Sequence, residues 1–275
     1  MMQLKDITII LLLYNTPIKT LNNLKNYKKF KIIILDQSND FETKKSIKKI
    51  LPNILYYKIT KKNEGFAKAI NFLSQKVKTK FFLCTQPDVN INLRSILNLK
   101  KVFHKKTNCI IAVPKIKNFK NYESKKNNKK IVPVDKMIGA VFLANKKLFD
   151  DVNKFDENFF FYWEDIDLSK RIKSSKYQIY LNKDSVANHI GGKSTDQNLK
   201  TLFIKESNFK FGEYLYQYKN SNLRFIKIIR EPIIYIFYIL IYLITFQIKK
   251  LHKNFSKFFG ILKFFTYLIL CKKLK

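Results

Sequence analysis

Five short apolar runs, Ile7 to Leu13, Ile32 to Leu35, Ile54 to Ile59, Phe81 to Cys84 and Ile110 to Val113, divide the first part of this chain at regular intervals. They are rich in β-branched and aromatic residues and nearly free of charge, the pattern of strands covered on both faces. Between them the apolar spacing becomes helical, most clearly at Phe66, Ile70, Leu73 and Val77. It is looser at Ile18, Leu21 and Leu24, and at Leu93, Leu97 and Phe103. Strand alternating with helix predicts an α/β fold of right-handed βαβ units around a mostly parallel sheet flanked by helices. Such a sheet binds ligands beyond the carboxyl ends of its strands.

Polar residues stand at those ends. Tyr14-Asn15-Thr16 follows the first run, Asp36-Gln37-Ser38 the second, Asn63-Glu64-Gly65 the third and Gln86-Pro87-Asp88 the fourth. Asp36 can accept a hydrogen bond from a base or a ribose, although one acid at a strand end is a weak signal. The segment Asn63-x-Gly65-Phe66-Ala67-x-Ala69-x-Asn71 puts glycine and small residues at a strand-to-helix turn. A phosphate or ribose can approach there closely, and a plain turn before a tightly packed helix would read the same way. Gln86-Pro87-Asp88 offers an amide and a hard carboxylate, suited to Mg²⁺ or Mn²⁺ shared with a diphosphate, or to an ordinary turn.

Lys and Arg number 54 against 20 Asp and Glu, a net charge of +34. A polyanion partner is the usual reading of such a charge. Here the cations are almost all lysine, with only Arg94, Arg171, Arg224 and Arg230 as arginine, whereas base reading and bidentate phosphate clamping favour arginine. The excess of Lys, Asn, Ile, Phe and Tyr reads as the codon bias of an AT-rich genome, so no specific nucleic-acid partner is expected. Cys84, Cys109 and Cys271 are far apart and in no Cys-x-x-Cys arrangement, which argues against a disulfide framework or a zinc site. The apolar run after Asp6 lacks a secretory cleavage pattern, so a cytoplasmic catalytic face is expected.

Residues 115–130 are Lys/Asn-rich without apolar period and read as a loop between a half at about 1–114 and a half at about 131–220. Beyond 220 the chain becomes aromatic and aliphatic. Residues 232–248 carry no charge, a length at the short limit for crossing a bilayer, and the block from Phe258 to Cys271 is interrupted by Lys263. Residues 221–275 are therefore expected to form a helical tail that meets a membrane surface; a pair of core helices is the alternative.

The densest signal is Phe160-Phe161-Tyr162-Trp163-Glu164-Asp165-Ile166-Asp167-Leu168, an aromatic run leading into carboxylates. Rings beside a carboxylate exclude water, which favours its use as a base, and give a sugar a flat surface to stack on. Acids in the first turn of a helix would look alike. His189, at a strand end before Gly191-Gly192, is a candidate metal ligand or a structural histidine.

Taken in order, Tyr14-Asn15, Asp36, the Asn63/Gly65 turn, Pro87-Asp88, Gly139-Ala140, Phe155-Asp156-Glu157, Trp163-Glu164-Asp165 and His189 resemble the inverting family-two glycosyltransferases. The likeness is strongest to the rhamnosyltransferase-like branch of bacterial surface-polysaccharide synthesis and covers about residues 5–200. It implies a GT-A type fold, a nucleotide-sugar donor (dTDP-rhamnose first, UDP- and GDP-sugars open) and a Mg²⁺ or Mn²⁺ ion; the basic, aromatic tail adds the expectation of a lipid-linked saccharide or glycan acceptor at the cytoplasmic membrane face. It implies donor binding by Tyr14, Asn15, Asp36, Asn63, Gly65, Asn71 and Asp88, metal binding by Asp88 and His189 with Gln86 beside them, Asp165 as the base, and Trp163 and Glu164 at the acceptor. Gln86 replaces a usual acid or Asn, and Asn153-Lys154 replace two glycines common in the family, which puts the metal affinity and the geometry of that loop in question. A silent basic membrane-surface or nucleic-acid-binding protein remains the alternative from another class. A nucleotidyltransferase would want a glycine-rich basic loop where Tyr14-Asn15-Thr16-Pro17 stands.

Overall fold

The computed structural model describes residues 4–38, 41–117, 129–191 and 198–273. Two compact units divide the chain: residues 1–157 with 165–196, and residues 158–164 with 197–275. This division places residues 199–219 with the tail, where the sequence reading draws its boundary near 220.

The first unit is built on one sheet. Its strands are β1 (Ile7–Leu13), β2 (Lys31–Asp36), β3 (Ile54–Ile59), β4 (Phe81–Thr85), β5 (Val89–Ile91), β6 (Cys109–Lys117), β7 (Ile131–Val134), β8 (Val141–Asn145) and β9 (Gln178–His189). They run in the order β3-β2-β1-β4-β8-β6-β9-β5, with β7 on β9. The first four strands are parallel, as their apolar runs predict. The sheet as a whole is mixed, because β8 runs antiparallel to both β4 and β6, and β5 and β7 run antiparallel to β9. That antiparallel insertion brings the start of β8 to the carboxyl end of β4, with Val141 opposite Thr85.

Helices α1 (Phe41–Ile50), α2 (Phe66–Lys76), α3 (Leu93–Lys105), α4 (Lys146–Asp151) and all but the first residue of α5 (Glu164–Lys173) belong to this unit. In α2 the periodic residues Phe66, Ile70 and Leu73 are buried, and Gly65 caps it at φ 89°, a conformation glycine adopts without Cβ strain. Asn92 caps α3 by accepting from the Ser95 N–H. The looser spacing at Ile18–Leu24 produces a 3₁₀ helix, Ile18–Tyr27, rather than an α-helix. Residues 115–117, expected as loop, continue β6, while 118–128 lie outside the described residues. The core runs through Ile9, Leu11, Ile32, Ile34, Leu83 and Leu143, all fully buried. Each contributes about 1.5–3 kcal/mol relative to exposure.

The second unit consists of α6 (Leu199–Lys219), α7 (Phe225–Ile244) and α8 (Ile248–Lys273), with the short segment 158–164. A capping box between Asn198 and Thr201 starts α6. Phe159, Phe211, Tyr214, Ile261 and Phe264 form its core. The uncharged run 232–248 is not one continuous helix: α7 ends at Ile244 and Phe246 turns the chain at φ 54° before α8. No described helix is long and apolar enough to cross a membrane.

Candidate functional site

The carboxyl edge of the parallel strands gathers most of the polar residues singled out above. Leu13 pairs with Asp36 and Leu11 with Thr85, so Tyr14-Asn15, Asp36 and the Gln86-Pro87-Asp88 turn leave three neighbouring strands side by side. The 3₁₀ helix holds that last turn in place: the Asn23 amide donates to the Pro87 carbonyl at 2.9 Å, and the buried Tyr27 hydroxyl lies 3.1 Å from Thr85 Oγ1.

Asp36 is fully buried and both its oxygens are engaged. Oδ2 accepts from the Tyr57 hydroxyl at 2.8 Å, and Oδ1 accepts from the Ser38 N–H at 3.0 Å and from the Ser38 hydroxyl. Beside it, Gln37 Oε1 accepts from the Glu64 N–H at 2.7 Å, and Asn63 Oδ1 accepts from the Gly65 N–H at 2.9 Å and the Gln37 amide at 3.2 Å. This network ties the end of β2 to the start of α2 and fixes the glycine turn. Asn15 takes a left-handed φ of 44° and faces solvent.

Asn71, expected among the donor-binding residues, lies within α2. It is buried, donates to the Phe155 carbonyl at 2.9 Å and to Glu157 Oε1 at 3.0 Å, and accepts from the Phe155 N–H at 3.1 Å. Its amide holds the Phe155-Asp156-Glu157 segment.

Asp88 and His189 are brought together across β5 and β9. Val89 pairs with His189, and His189 Nε2 lies 3.5 Å from Asp88 Oδ2. His189 Nδ1 is buried with no hydrogen-bond partner among the described residues. Gln86 is half-buried in the same turn. Among the described residues no group of three or more His, Cys, Asp or Glu suits a metal ion. A carboxylate and an imidazole at this separation fit a divalent ion that takes its remaining oxygens from a diphosphate and water. Gly191 follows at φ 66°, and residues 192–195 lie outside the described residues.

Asp165 is held at this edge by the loop before β8. Its Oδ2 accepts from the Gly139 N–H and its Oδ1 from the Ile166 N–H, both at 2.9 Å. Ser169 completes the attachment, donating to the Asp165 carbonyl at 2.6 Å and accepting from the Met137 N–H at 3.1 Å. Burial pushes the Asp165 carboxyl above the usual aspartate range, and the two N–H donors only partly offset it. Without those donors the charge would be costlier still.

The loop whose geometry the sequence put in question, at Asn153-Lys154, is unusual in its backbone. Asn153 and Lys154 have φ of 60° and 52°, the left-handed region where two glycines would be unstrained. Arg171 clamps them, donating to the Val152 and Lys154 carbonyls while its Nε pairs with Asp167 at 2.8 Å. In the second unit, Tyr162 and Trp163 are also left-handed, at 70° and 73°. Bulky residues hold such a conformation only where surroundings impose it. Trp163 packs on Phe209 and Tyr216, its buried Nε1 has no hydrogen-bond partner among the described residues, and Glu164 is buried. Burial, with Glu206 and Glu164 nearby, raises the Tyr162 phenol to about 12.

Solved structures share this architecture. GalNAc-T7, solved with UDP, GalNAc and Mn²⁺, superposes at a TM-score of 0.58 with 14% identity over 76% of this chain and 47% of its own. A mannosyltransferase from Pyrobaculum calidifontis, solved with GDP-Man and Mn²⁺, gives 0.55 and 12% over 77% and 64%. S. aureus TarS residues 1–349, solved with UDP, gives 0.54 and 14% over 94% and 91%. This chain thus spans about half of the first and under two thirds of the second. At these identities the likeness establishes the GT-A type fold. No curated protein sequence matches significantly. The sequence profile described as "Glycosyl transferase family 2" does match, over residues 14–170, a span from the end of β1 through Asp36, Asp88 and Asp165 that exceeds half the chain; the protein belongs to that family.

Proposed function

We propose that the protein is an inverting glycosyltransferase that moves a sugar from a nucleoside-diphosphate donor to a hydroxyl of a lipid-linked saccharide or glycan. One observation carries this reading: a half-buried carboxylate with a raised pKa, Asp165, and the Asp88–His189 pair share one edge of the sheet. The family and the nucleotides bound by its fold neighbours support the donor class.

The donor's base and ribose belong with Tyr14, Asn15, Asp36 and the Asn63–Gly65 turn, and its diphosphate with Asp88 and His189. Mg²⁺ or Mn²⁺ held by those two residues would neutralise the leaving diphosphate. Asp165 accepts the proton of the acceptor hydroxyl, which attacks the anomeric carbon from the face opposite the diphosphate. A single displacement inverts that carbon and leaves no covalent intermediate, so one base suffices. Rhamnose from a dTDP donor is the first candidate sugar, and the cytoplasmic membrane face is the expected location. Trp163 and Glu164, immediately before the base in sequence, are the residues to test for acceptor recognition.

The test is nucleoside-diphosphate release from dTDP-, UDP- and GDP-sugars with Mg²⁺ or Mn²⁺, with and without lipid-linked acceptor extract. Release from one donor that drops on the order of a hundredfold or more in Asp165→Asn, with donor binding and melting unchanged, is expected. Near-normal turnover in that variant would remove Asp165 as the base. Silence of the folded wild type across the panel would overturn the transferase reading.

A further inference from the structure

Helix α7 is inside out. Its charged residues Lys227 and Glu231 are turned inward and only 17% and 20% exposed. They close a cluster with α6, in which Lys210 meets Glu213 at 2.6 Å and Glu231 at 3.2 Å, Lys227 pairs with Glu213, and the Tyr214 hydroxyl donates to Glu231 at 3.1 Å. Ile228 and Tyr235 pack on the core of the unit, but most apolar residues of α7 face outward. Ile233, Ile236, Phe237, Leu240, Leu243 and Ile244 are between 45% and 75% exposed, and α7 buries no residue at all. A water-facing helix has the opposite arrangement, and an apolar patch of this size on a soluble surface marks a contact.

Charge identifies the contact. Both ends of the apolar stretch carry cations, Arg224 and Arg230 before it and Lys249 and Lys250 after it, and the whole chain is +34. Residues 233–244 extend about 18 Å at 1.5 Å per residue, short of a hydrocarbon core of about 30 Å. A spanning helix would place its two collars at opposite faces. Here both collars reach the headgroups of one leaflet only if the helix lies in the membrane plane. Helix α8 adds a stripe of the same character, Phe255, Phe259 and Leu262, each more than 40% exposed.

We propose that α7 lies in the interface of an anionic bilayer, with its outer face among the acyl chains and its basic ends at acidic headgroups. The internal ion cluster keeps the helix attached to α6 on the side away from lipid. This contact involves no sugar transfer, so it stands or falls separately from the donor chemistry.

Flotation of the full chain with phosphatidylcholine vesicles, with and without phosphatidylglycerol, tests it. Binding at least about tenfold tighter to the anionic vesicles is expected, falling at least about tenfold in the triple variant Ile236→Gln, Phe237→Gln, Leu240→Gln and about fivefold for each of Lys249→Gln and Lys250→Gln. The triple variant replaces exposed side chains only, so its melting and nucleotide binding should match wild type. Equal binding to neutral vesicles, or binding indifferent to the triple substitution, would overturn the proposal. Retention after alkaline carbonate washing would replace the in-plane helix with an integral one. Absence of vesicle binding by a dimer that the triple variant dissociates would assign the face to a second copy of the chain.

Discussion

Lys154 shows how a single residue can sit against its own backbone preference. A left-handed φ costs a non-glycine residue about 1–2 kcal/mol, yet Lys154 adopts 52° directly after Asn153 at 60°. The Arg171 guanidinium, donating to the Val152 carbonyl and to that of Lys154 itself, supplies the compensation. Lys154→Gly should therefore raise stability by about 0.5–1 kcal/mol in urea unfolding, net of greater unfolded-state freedom and a partly exposed ion pair to Asp150. A destabilised variant would mean that the Lys154 side chain, rather than Arg171, holds the loop. Asp165 yields a prediction with two opposite signs. Its carboxyl is raised by burial, so the folded state binds the proton more tightly than the unfolded state does. Its contribution to stability is full below the ordinary aspartate value of about 3.9 and is lost as pH rises through the raised value. Catalysis needs the ionised form, so kcat/KM should climb with pH over that same interval. A kcat/KM profile whose acid limb lies at or below the ordinary value would contradict this assignment, and Asp165→Asn should lack the limb.

At the scale of elements, Gly260 shows why α6 and α8 can lie so close. A Cβ there would stand 2.3 Å from the Ser207 carbonyl oxygen and 3.0 Å from Lys210 Cβ. Gly260→Ala should cost the second unit about 1–3 kcal/mol despite alanine's better helix propensity, and differential scanning calorimetry should show a lowered transition. An unchanged transition would mean the helices separate freely. Gly212 plays a related part for the aromatic turn, since a Cβ there would meet Trp163 Cδ1 at 2.9 Å. Elements differ in how far they can be read in the sequence. Strands β1 and β4 are visible as runs because neither face needs polar residues. Helix α2 is visible because its buried residues repeat with helical period. β5 is only Val89–Ile91 and β7 contains Pro133, so neither has a run long enough to recognise. β9 reads as two pieces, Tyr177–Leu181 and Ser185–Ala187, because Lys183 and Asp184 interrupt its apolar pattern; β6 shifts register against it between Pro114 and Lys115, and the strand continues to His189. The antiparallel placement of β8 is long-range pairing that no local pattern encodes. The same holds for the site. Asp36 and Asp88 are found at strand ends by the rule for parallel sheets, whereas the meeting of Asp88 with His189 depends on β5 lying against β9. The contact of Asn71, within α2, with Phe155 is likewise long-range and has no local signature.

Across the whole molecule the dominant quantity is charge, 54 cationic residues against 20 acidic. Two consequences must be separated. Lysines scattered over a surface attract any polyanion by releasing its counterions, without reading its sequence. The carboxyl-edge residues offer something different: a buried Asp36, an Asp88–His189 pair and a half-buried Asp165, acids gathered at the edge where we propose that the donor binds. A binding protein for nucleic acid gains nothing from carboxylates there, since each repels phosphate unless an ion intervenes. Salt distinguishes the two. Any association with RNA should fall on the order of a thousandfold between 50 and 200 mM salt and show no sequence preference. Binding of the preferred nucleotide-sugar, measured by calorimetry with Mg²⁺ or Mn²⁺, should fall less than about tenfold over that range, because one diphosphate displaces few counterions. Tight, sequence-selective RNA binding that survives 200 mM salt would assign the positive surface a role of its own and would make the carboxyl-edge acids a remnant. Loss of RNA binding with donor binding intact would leave those acids as the centre of the proposed chemistry, and the scattered lysines as a solvated surface.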